Sequence, residues 1–465
     1  MRAERQLAEG DLAAARATAR RLLAAEPLEG RGFRVLAAVA RKSGDDAQAL
    51  ALYGIAAKRS PRDLAARAWL AEHYLARGQY RAGLAQIDAI LRKAPYRERF
   101  LLPRMARLAS DPEFASELAE LLARRPLWRA SLLSTLEKEN PGAADVVISG
   151  LAQHGGLTVA ETDEWLNRLM RQGRWAEAYG QWTAMLPAGQ PALAAVYNGD
   201  FAALPSSRGF DWRKNRLPGV DLSFVPDAAP RGSGFTAHAT FRDRPVAALN
   251  LEQPLLLRPG NYRLSVRMRA HTLDSEQGLE WWVACDGAPG PIGSSSGIGG
   301  TFAWRIVEAD VRIPPTGCGG QWLRLQNPAP GGAAQKVKGE LWFDDVSIVS
   351  VDPVGPAIAT LRIGRGQVMA GAPSGFQHVR NGEELASGQR LLLFDGAFAS
   401  VQYRDHCTKR YRGPAVAVID DRCLPVGAGG SPSRPVTVDR VAAATGIEAA
   451  ILGGMEDRSS PPAGR

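Results

Sequence analysis

Residues able to do chemistry are thinly spread. The histidines His73, His154, His238, His271, His378 and His406 include no H-E-x-x-H or other metal-ligand spacing. Ser295 is the centre of GSSSG (Gly293–Gly297), formally G-x-S-x-G. A nucleophile elbow needs a strand, a sharp turn and a helix around that serine, whereas PGPIGSSSGIGG reads as a loop. The carboxylate pairs Glu383–Glu384 and Asp420–Asp421 are sequence neighbours in turn-like stretches. Acid–base catalysis needs carboxylates opposed across a cleft. Neither G-x-x-x-x-G-K-S/T nor G-x-G-x-x-G occurs. The expectation is a binding protein and not an enzyme.

Recognition needs other residue types. Sugar C–H faces pack on flat rings, so the tryptophans come first. In GLEWWVAC, strand alternation sets Trp281 and Trp282 on opposite sides. Leu279, Trp281, Val283 and Cys285 share the apolar side, leaving Glu280 and Trp282 on the other. In QWLRLQ, Leu323 and Leu325 point inward, and Trp322, Arg324 and Gln326 point outward. Trp282, Trp322, Glu280 and Arg324 are the candidate glycan contacts. For the two tryptophans the alternative is packing under a loop or against a neighbouring domain. Trp304 and Trp342 are read as structural. Net charge is +9, from 57 Lys and Arg against 48 Asp and Glu, which suits acidic partners. The arginines are scattered with no dense basic run, so no nucleic-acid partner is expected.

The four cysteines fall as Cys285 with Cys318 and Cys407 with Cys423, one pair per β-rich region, with no C-x-x-C. Two structural disulfides and an oxidising compartment follow, periplasmic or cell-surface. The alternative is four buried thiols in a cytosolic protein.

The elements that position these residues divide a 465-residue chain into several domains. Residues 1–195 read as helical. Gly10, Gly44 and Gly78 recur every 34 residues, as do Pro27, Pro61 and Pro95. Ala15, Ala49 and Gly83 follow their glycines by five. Glycine permits the tight turn between antiparallel helices, the small residue lets the second helix approach the first, and proline ends the unit. The pattern resembles the tetratricopeptide repeat, with a truncated first unit, and the resemblance implies a concave surface for a protein partner. A rigid spacer is the other reading.

Residues 198–352 alternate with period two between Gly/Pro turns, as in NYRLSVRMRA, where Leu264, Val266 and Met268 oppose Arg263, Arg267 and Arg269. About eight such strands predict a β-sandwich. The opening NGDF (198–201), LRPGNYRLSVRMR and the closing WFDDVSI resemble the carbohydrate-binding-module type of galactose-binding-like jelly roll. That implies glycan binding without cleavage. It also implies a structural calcium as the one candidate cofactor, with Asp344 or Asp345 and Asp200 as ligands. A solvated turn is the plainer reading of these acids, and one Asp is expected in a bulge.

Residues 355–426 carry further short strands. Gly366–Val368, Asn381–Leu385, Gly388–Leu392 and Asp395–Tyr403 resemble the FecR-like β domain of envelope proteins, implying fold and compartment. Residues 427–465 read as a largely disordered tail with a marginal helix over 441–455. The N-terminus has no apolar signal core, and no run reaches the roughly 18 apolar residues of a spanning helix. A missing upstream segment is the expected route to any signal or membrane anchor. The expectation is therefore α then β: helical solenoid, jelly roll and small all-β domain. It would act as a cell-envelope adaptor binding protein through its repeats and polysaccharide through its sandwich, in exopolysaccharide assembly or export. A FecR-like signalling protein with the sandwich as spacer is the alternative.

Overall fold

The computed structural model describes residues 2–187, 189–226, 234–329, 334–423 and 446–452. The chain is α then β. It forms two compact units, Met1–Val159 with Pro432–Arg465, and Ala160–Ser431. Most of the 427–465 tail lies outside the described residues.

The first unit contains Arg2–Ala8 (α1), Leu12–Ala25 (α2), Gly30–Lys42 (α3), Asp46–Arg59 (α4), Leu64–Ala76 (α5), Tyr80–Lys93 (α6), Glu98–Leu108 (α7), Pro112–Ala123 (α8), Arg129–Glu139 (α9) and Pro141–Gln153 (α10). Val159–Arg171 (α11) runs from its end into the second unit, followed by Trp175–Thr183 (α12). Ile447–Leu452 (α13) returns to the first unit.

The 34-residue spacing has a direct structural cause. Gly10, Gly44 and Gly78 adopt φ of +84°, +79° and +72° in the turns that close α1–α2, α3–α4 and α5–α6. Asp11 and Asp45 then cap the second helix, accepting from Ala14 N at 2.8 Å and Gln48 N at 2.9 Å. Ala15 and Ala49 are fully buried between paired helices. At the third equivalent position a Cβ on Gly83 would lie 2.7 Å from Leu75 Cγ. Gly173 (φ +76°) and the fully buried Ala178 repeat the same device between α11 and α12.

The second unit holds nineteen described strands. Its first, Ala192–Ala194 (β1), precedes the sandwich. The sandwich strands are Arg213–Lys214 (β2), Val220–Pro226 (β3), Phe235–Pro245 (β4), Ala248–Leu255 (β5), Gly260–Ser275 (β6), Glu280–Cys285 (β7), Gly293–Ser294 (β8), Gly300–Ile313 (β9), Gln321–Gln326 (β10) and Lys336–Ser350 (β11). They form a short sheet, β2-β5-β10-β7-β8, and a long sheet, β3-β4-β11-β6-β9, each antiparallel throughout. Phe201, Trp212, Trp281 and Phe343 fill the space between the sheets. The NGDF turn closes one end. The Asn198 side chain donates to Ala203 O and accepts from Ala203 N, at 2.8 and 3.1 Å. A Cβ on Gly199 would lie 2.0 Å from Val346 O, so only glycine lets this turn meet β11.

The last domain comprises Ala357–Arg365 (β12), Val368–Ala372 (β13), Gly375–His378 (β14), Glu384–Ala386 (β15), Arg390–Leu393 (β16), Phe398–Tyr403 (β17), Thr408–Arg412 (β18) and Ala415–Val418 (β19). Two small sheets, β1-β14-β13-β16-β19 and β15-β12-β17-β18, enclose a core including Leu361, Leu391, Leu393 and Val401.

Both expected disulfides are present. Cys285–Cys318 joins the end of β7 to the turn before β10, with Cα atoms 5.1 Å apart. Cys407–Cys423 has a Cα separation of 6.0 Å. The two strands it brackets, β18 and β19, belong to different sheets and not to one, so it fastens the two layers of the last domain together. Among the described residues no helix is long and apolar enough to cross a membrane.

Candidate functional site

Strand parity decides which side chains the long sheet shows to solvent. Leu264, Val266 and Met268 of β6 and Leu341 and Phe343 of β11 are buried, so Arg267, Arg269 and Trp342 stand on the outer face. Register places Trp342 between His238 of β4 and Arg269 of β6. The His238 and Trp342 rings stack 4.4 Å apart with planes 2° from parallel. The Arg269 guanidinium lies 4.1 Å from the Trp342 centroid and 5.5 Å from that of Trp304, and Arg267 lies 4.6 Å from Trp304. Trp304 is on β9, the edge strand, and is 37% exposed, while Ile306 beside it is 66% exposed. Imidazole, indole, guanidinium and indole thus succeed one another across four strands. The inner members cover one another, and Trp304 ends the row at the sheet edge. Arg305 lies 3.9 Å over the Phe302 ring on the same strand.

This row includes two tryptophans that sequence reasoning took as structural, together with His238, which it did not assign. A signal was available: in TFAWRIVEADVRI the inward residues Ala309, Val311 and Ile313 are odd-numbered, which turns Trp304 outward. Burial and the Arg269 cation hold the His238 imidazole below its ordinary value, with Glu340 opposing. Its contribution to stability is whole above the ordinary histidine value of 6.5 and declines as pH falls from there to the lowered native value. Urea midpoints measured from pH 7.5 to 5 should show this decline, and His238→Phe, which keeps the stack, should flatten it. An unchanged slope in the variant would refute the assignment.

The expected bulge near the closing acids is present. Register shifts between Asp344 and Ser347, and Asp345 adopts φ +50°. Asp344 is buried and its Oδ2 meets Arg267 Nη2 at 2.6 Å, while Asp345 Oδ2 meets Arg267 Nε at 3.0 Å. Burial raises the Asp344 carboxyl pKa, and Arg267 pulls the other way. Asp200 is exposed and accepts from Ala202 N at 3.3 Å. Asp200 and Asp345 line one open cleft of about 600 Å³ with Asn198, Gly199 and Ser347. Among the described residues no three His, Cys, Asp or Glu side chains gather as a metal-ligand group. The donors fit a calcium poorly, because two of the three carboxylates are committed to a guanidinium.

The outer face of the short sheet holds the four residues singled out from sequence. Trp282 donates from Nε1 to Glu280 Oε2 at 2.8 Å and lies opposite Arg324, whose Nε pairs with Glu252 Oε2 at 2.7 Å. Trp322 is one strand away and has a different environment. Its ring meets Trp175 of α12 edge to face at 5.7 Å, its Nε1 donates to Asp286 at 2.9 Å, and Arg213 and Arg324 lie 5.1 and 5.0 Å from its centroid. The helix explains this. Trp175, Tyr179 and Trp182 of α12 pack with Phe210 and Tyr197 of the sandwich approach and Phe376 of β14. Trp322 therefore extends an aromatic seam, and Trp282 is half-buried beside Glu280 and Arg324. Ser295 of GSSSG is structural here: its Oγ accepts from Trp281 N at 3.0 Å and donates to Ser296 O at 3.1 Å.

No protein-family model matches the chain, and no curated protein matches it in sequence. Solved structures give faint likenesses. A CBM4 module is 15% identical, covering 33% of this chain and 97% of its own, with a TM-score of 0.25. The CBM22-1–GH10 modules of Clostridium thermocellum endo-1,4-beta-D-xylanase 10B, solved with xylohexaose, are 14% identical over 36% of this chain and 30% of theirs, at 0.23. The tripod from the baseplate of bacteriophage Tuc2009 is 10% identical over 50% of this chain and 90% of its own, at 0.19. At these scores the functional reading rests on the chain's own residues.

Proposed function

We propose that this is a non-catalytic glycan-binding protein of an extracytoplasmic compartment, with the outer face of the long sheet as its sugar contact. The supporting observation is Trp304: a partly exposed indole on an edge strand, backed by Arg267 and Arg269 and continued by Trp342 and His238. A ring held by its neighbours loses little freedom when a sugar stacks on it. Arg269 beside it favours an acidic polysaccharide, the charge of Arg267 being offset by Asp344 and Asp345. The two disulfides support an oxidising compartment. The helical array is read as the protein-docking part of an adaptor, in keeping with its tetratricopeptide-like spacing, and exopolysaccharide assembly or export is the setting such a pairing suits.

Affinity electrophoresis of the full chain in gels containing alginate, polygalacturonate or neutral xylan tests this. Trp304→Ala should weaken retardation by about 2 kcal/mol, roughly thirtyfold in Kd, as for a central interface tryptophan. Trp282→Ala and Trp322→Ala should leave it unchanged. Loss with Trp282→Ala alone would move the site to the short sheet, and absence of retardation on every polysaccharide would reject glycan binding.

A further inference from the structure

The segment Gly446–Leu452 belongs to the first unit although its sequence follows the last β domain. Its helix, α13, packs against α5 and α7. Ile447 and Ile451, one helical turn apart, are both fully buried. Between them in sequence, Glu448 accepts at Oε2 from Arg41 Nη1 of α3 at 2.7 Å, and its own N–H donates to Glu72 Oε2 of α5 at 2.8 Å. Arg104 of α7 flanks Gly446. α3, α5 and α7 are alternate helices. α3 and α5 each open a hairpin, with α4 and α6, and α7 is the next alternate helix; α13 lies in the groove between α5 and α7 and reaches α3 through Arg41. The groove contributes an apolar floor for two aliphatic side chains four residues apart and a guanidinium for the carboxylate next to the first.

We propose that this groove is a docking site for a short helical segment with aliphatic residues at i and i+4 and an acidic residue at i+1, and that α13 is its displaceable in-chain occupant. The chain's own tail then competes with any external partner. The apparent affinity for that partner is lowered by the fraction of molecules whose groove is filled. This deepens the protein-docking reading of the helical array and rests on it. The occupant defines the partner's chemistry: a short amphipathic, acidic helix, recognised by anchors at helical spacing.

A fluorescein-labelled peptide with the sequence of residues 441–455 is the probe. The proteins are the full chain, the same chain with Ile447→Glu and Ile451→Glu, and that double variant with Arg41→Glu added. Circular dichroism and melting of each first establish that the helical unit is folded. The double variant should bind the peptide at least about tenfold tighter than the wild type, because its groove is vacated. Arg41→Glu should remove the gain, and a peptide carrying Glu448→Arg should restore binding to that protein. Equal binding by wild type and double variant, with Arg41→Glu still abolishing it, would overturn occlusion by α13 while leaving the docking groove intact. No peptide binding by the double variant would overturn both. Concentration-dependent dimerisation of the wild type, lost in the double variant, would place α13 on a second copy and overturn the in-chain contact.

Discussion

Replacing Cys285 and Cys318 with serine should lower the stability of the sandwich by about 3.7 kcal/mol, the chain-entropy value for a 33-residue separation. The bond joins β7, whose Trp281 and Val283 are fully buried, to the turn that launches β10, its hydrogen-bonded neighbour. Without it, the intervening stretch through β8 and β9 is free to expand in the unfolded chain, and the unfolded state gains entropy that the native state cannot match. Cys285 itself is buried, so serine adds a polar atom to a nearly closed site and pushes in the same direction. Urea unfolding under oxidising conditions, followed by tryptophan fluorescence, to which the core residues Trp212 and Trp281 contribute, should show the midpoint of the sandwich fall. A change under about 1 kcal/mol would mean that the pair does not constrain the unfolded chain, as the entropic account requires.

Arg267→Ala should be comparably damaging, at about 3–5 kcal/mol, because it leaves the buried Asp344 carboxylate without its cation. Trp304 loses a stacking partner in the same step. The pH dependence separates this cause from simple loss of packing. Burial already lifts the Asp344 pKa above the ordinary aspartate value, and removing the guanidinium should lift it further. A carboxyl group whose native pKa exceeds its unfolded pKa favours the fold increasingly as pH falls through the native value. The deficit of the variant against wild type should therefore shrink on acidification from pH 7 toward 4.5. A deficit independent of pH would assign the loss to packing alone, and Arg267→Lys, retaining the charge, should recover part of the stability.

Much of the sandwich was legible from alternation. The inward sets in β6, β7 and β10 follow from period two alone, and the disulfide partners follow from one cysteine pair per β-rich region. The helical hairpins were legible because a left-handed turn glycine and a small residue five positions later are local requirements. What stayed hidden is long-range. Trp322 was correctly placed on an outward face, but its neighbour Trp175 lies far back in the chain, and no periodicity links them. His238, Trp342 and Arg269 become a stack only once β4, β11 and β6 are registered side by side. The commitment of Asp344 and Asp345 to one arginine is a cross-strand fact of the same kind. α13 is one short helix whose two isoleucines show no partner until α5 and α7 are beside them.

The strand β1 has a consequence for how the chain is made. Ala192–Ala194 pairs with Gly375–Gln377, so the last domain takes one strand from the residues just before the sandwich and the rest from those just after it. Topologically the sandwich is an insertion within that domain: the chain enters it from β1 of one small sheet and leaves it into β12 of the other. During synthesis from the N-terminus, β1 emerges first and must wait, unpaired, until the whole sandwich and then β14 have followed. The sandwich is free to fold in that interval, while the sheet that anchors it closes last.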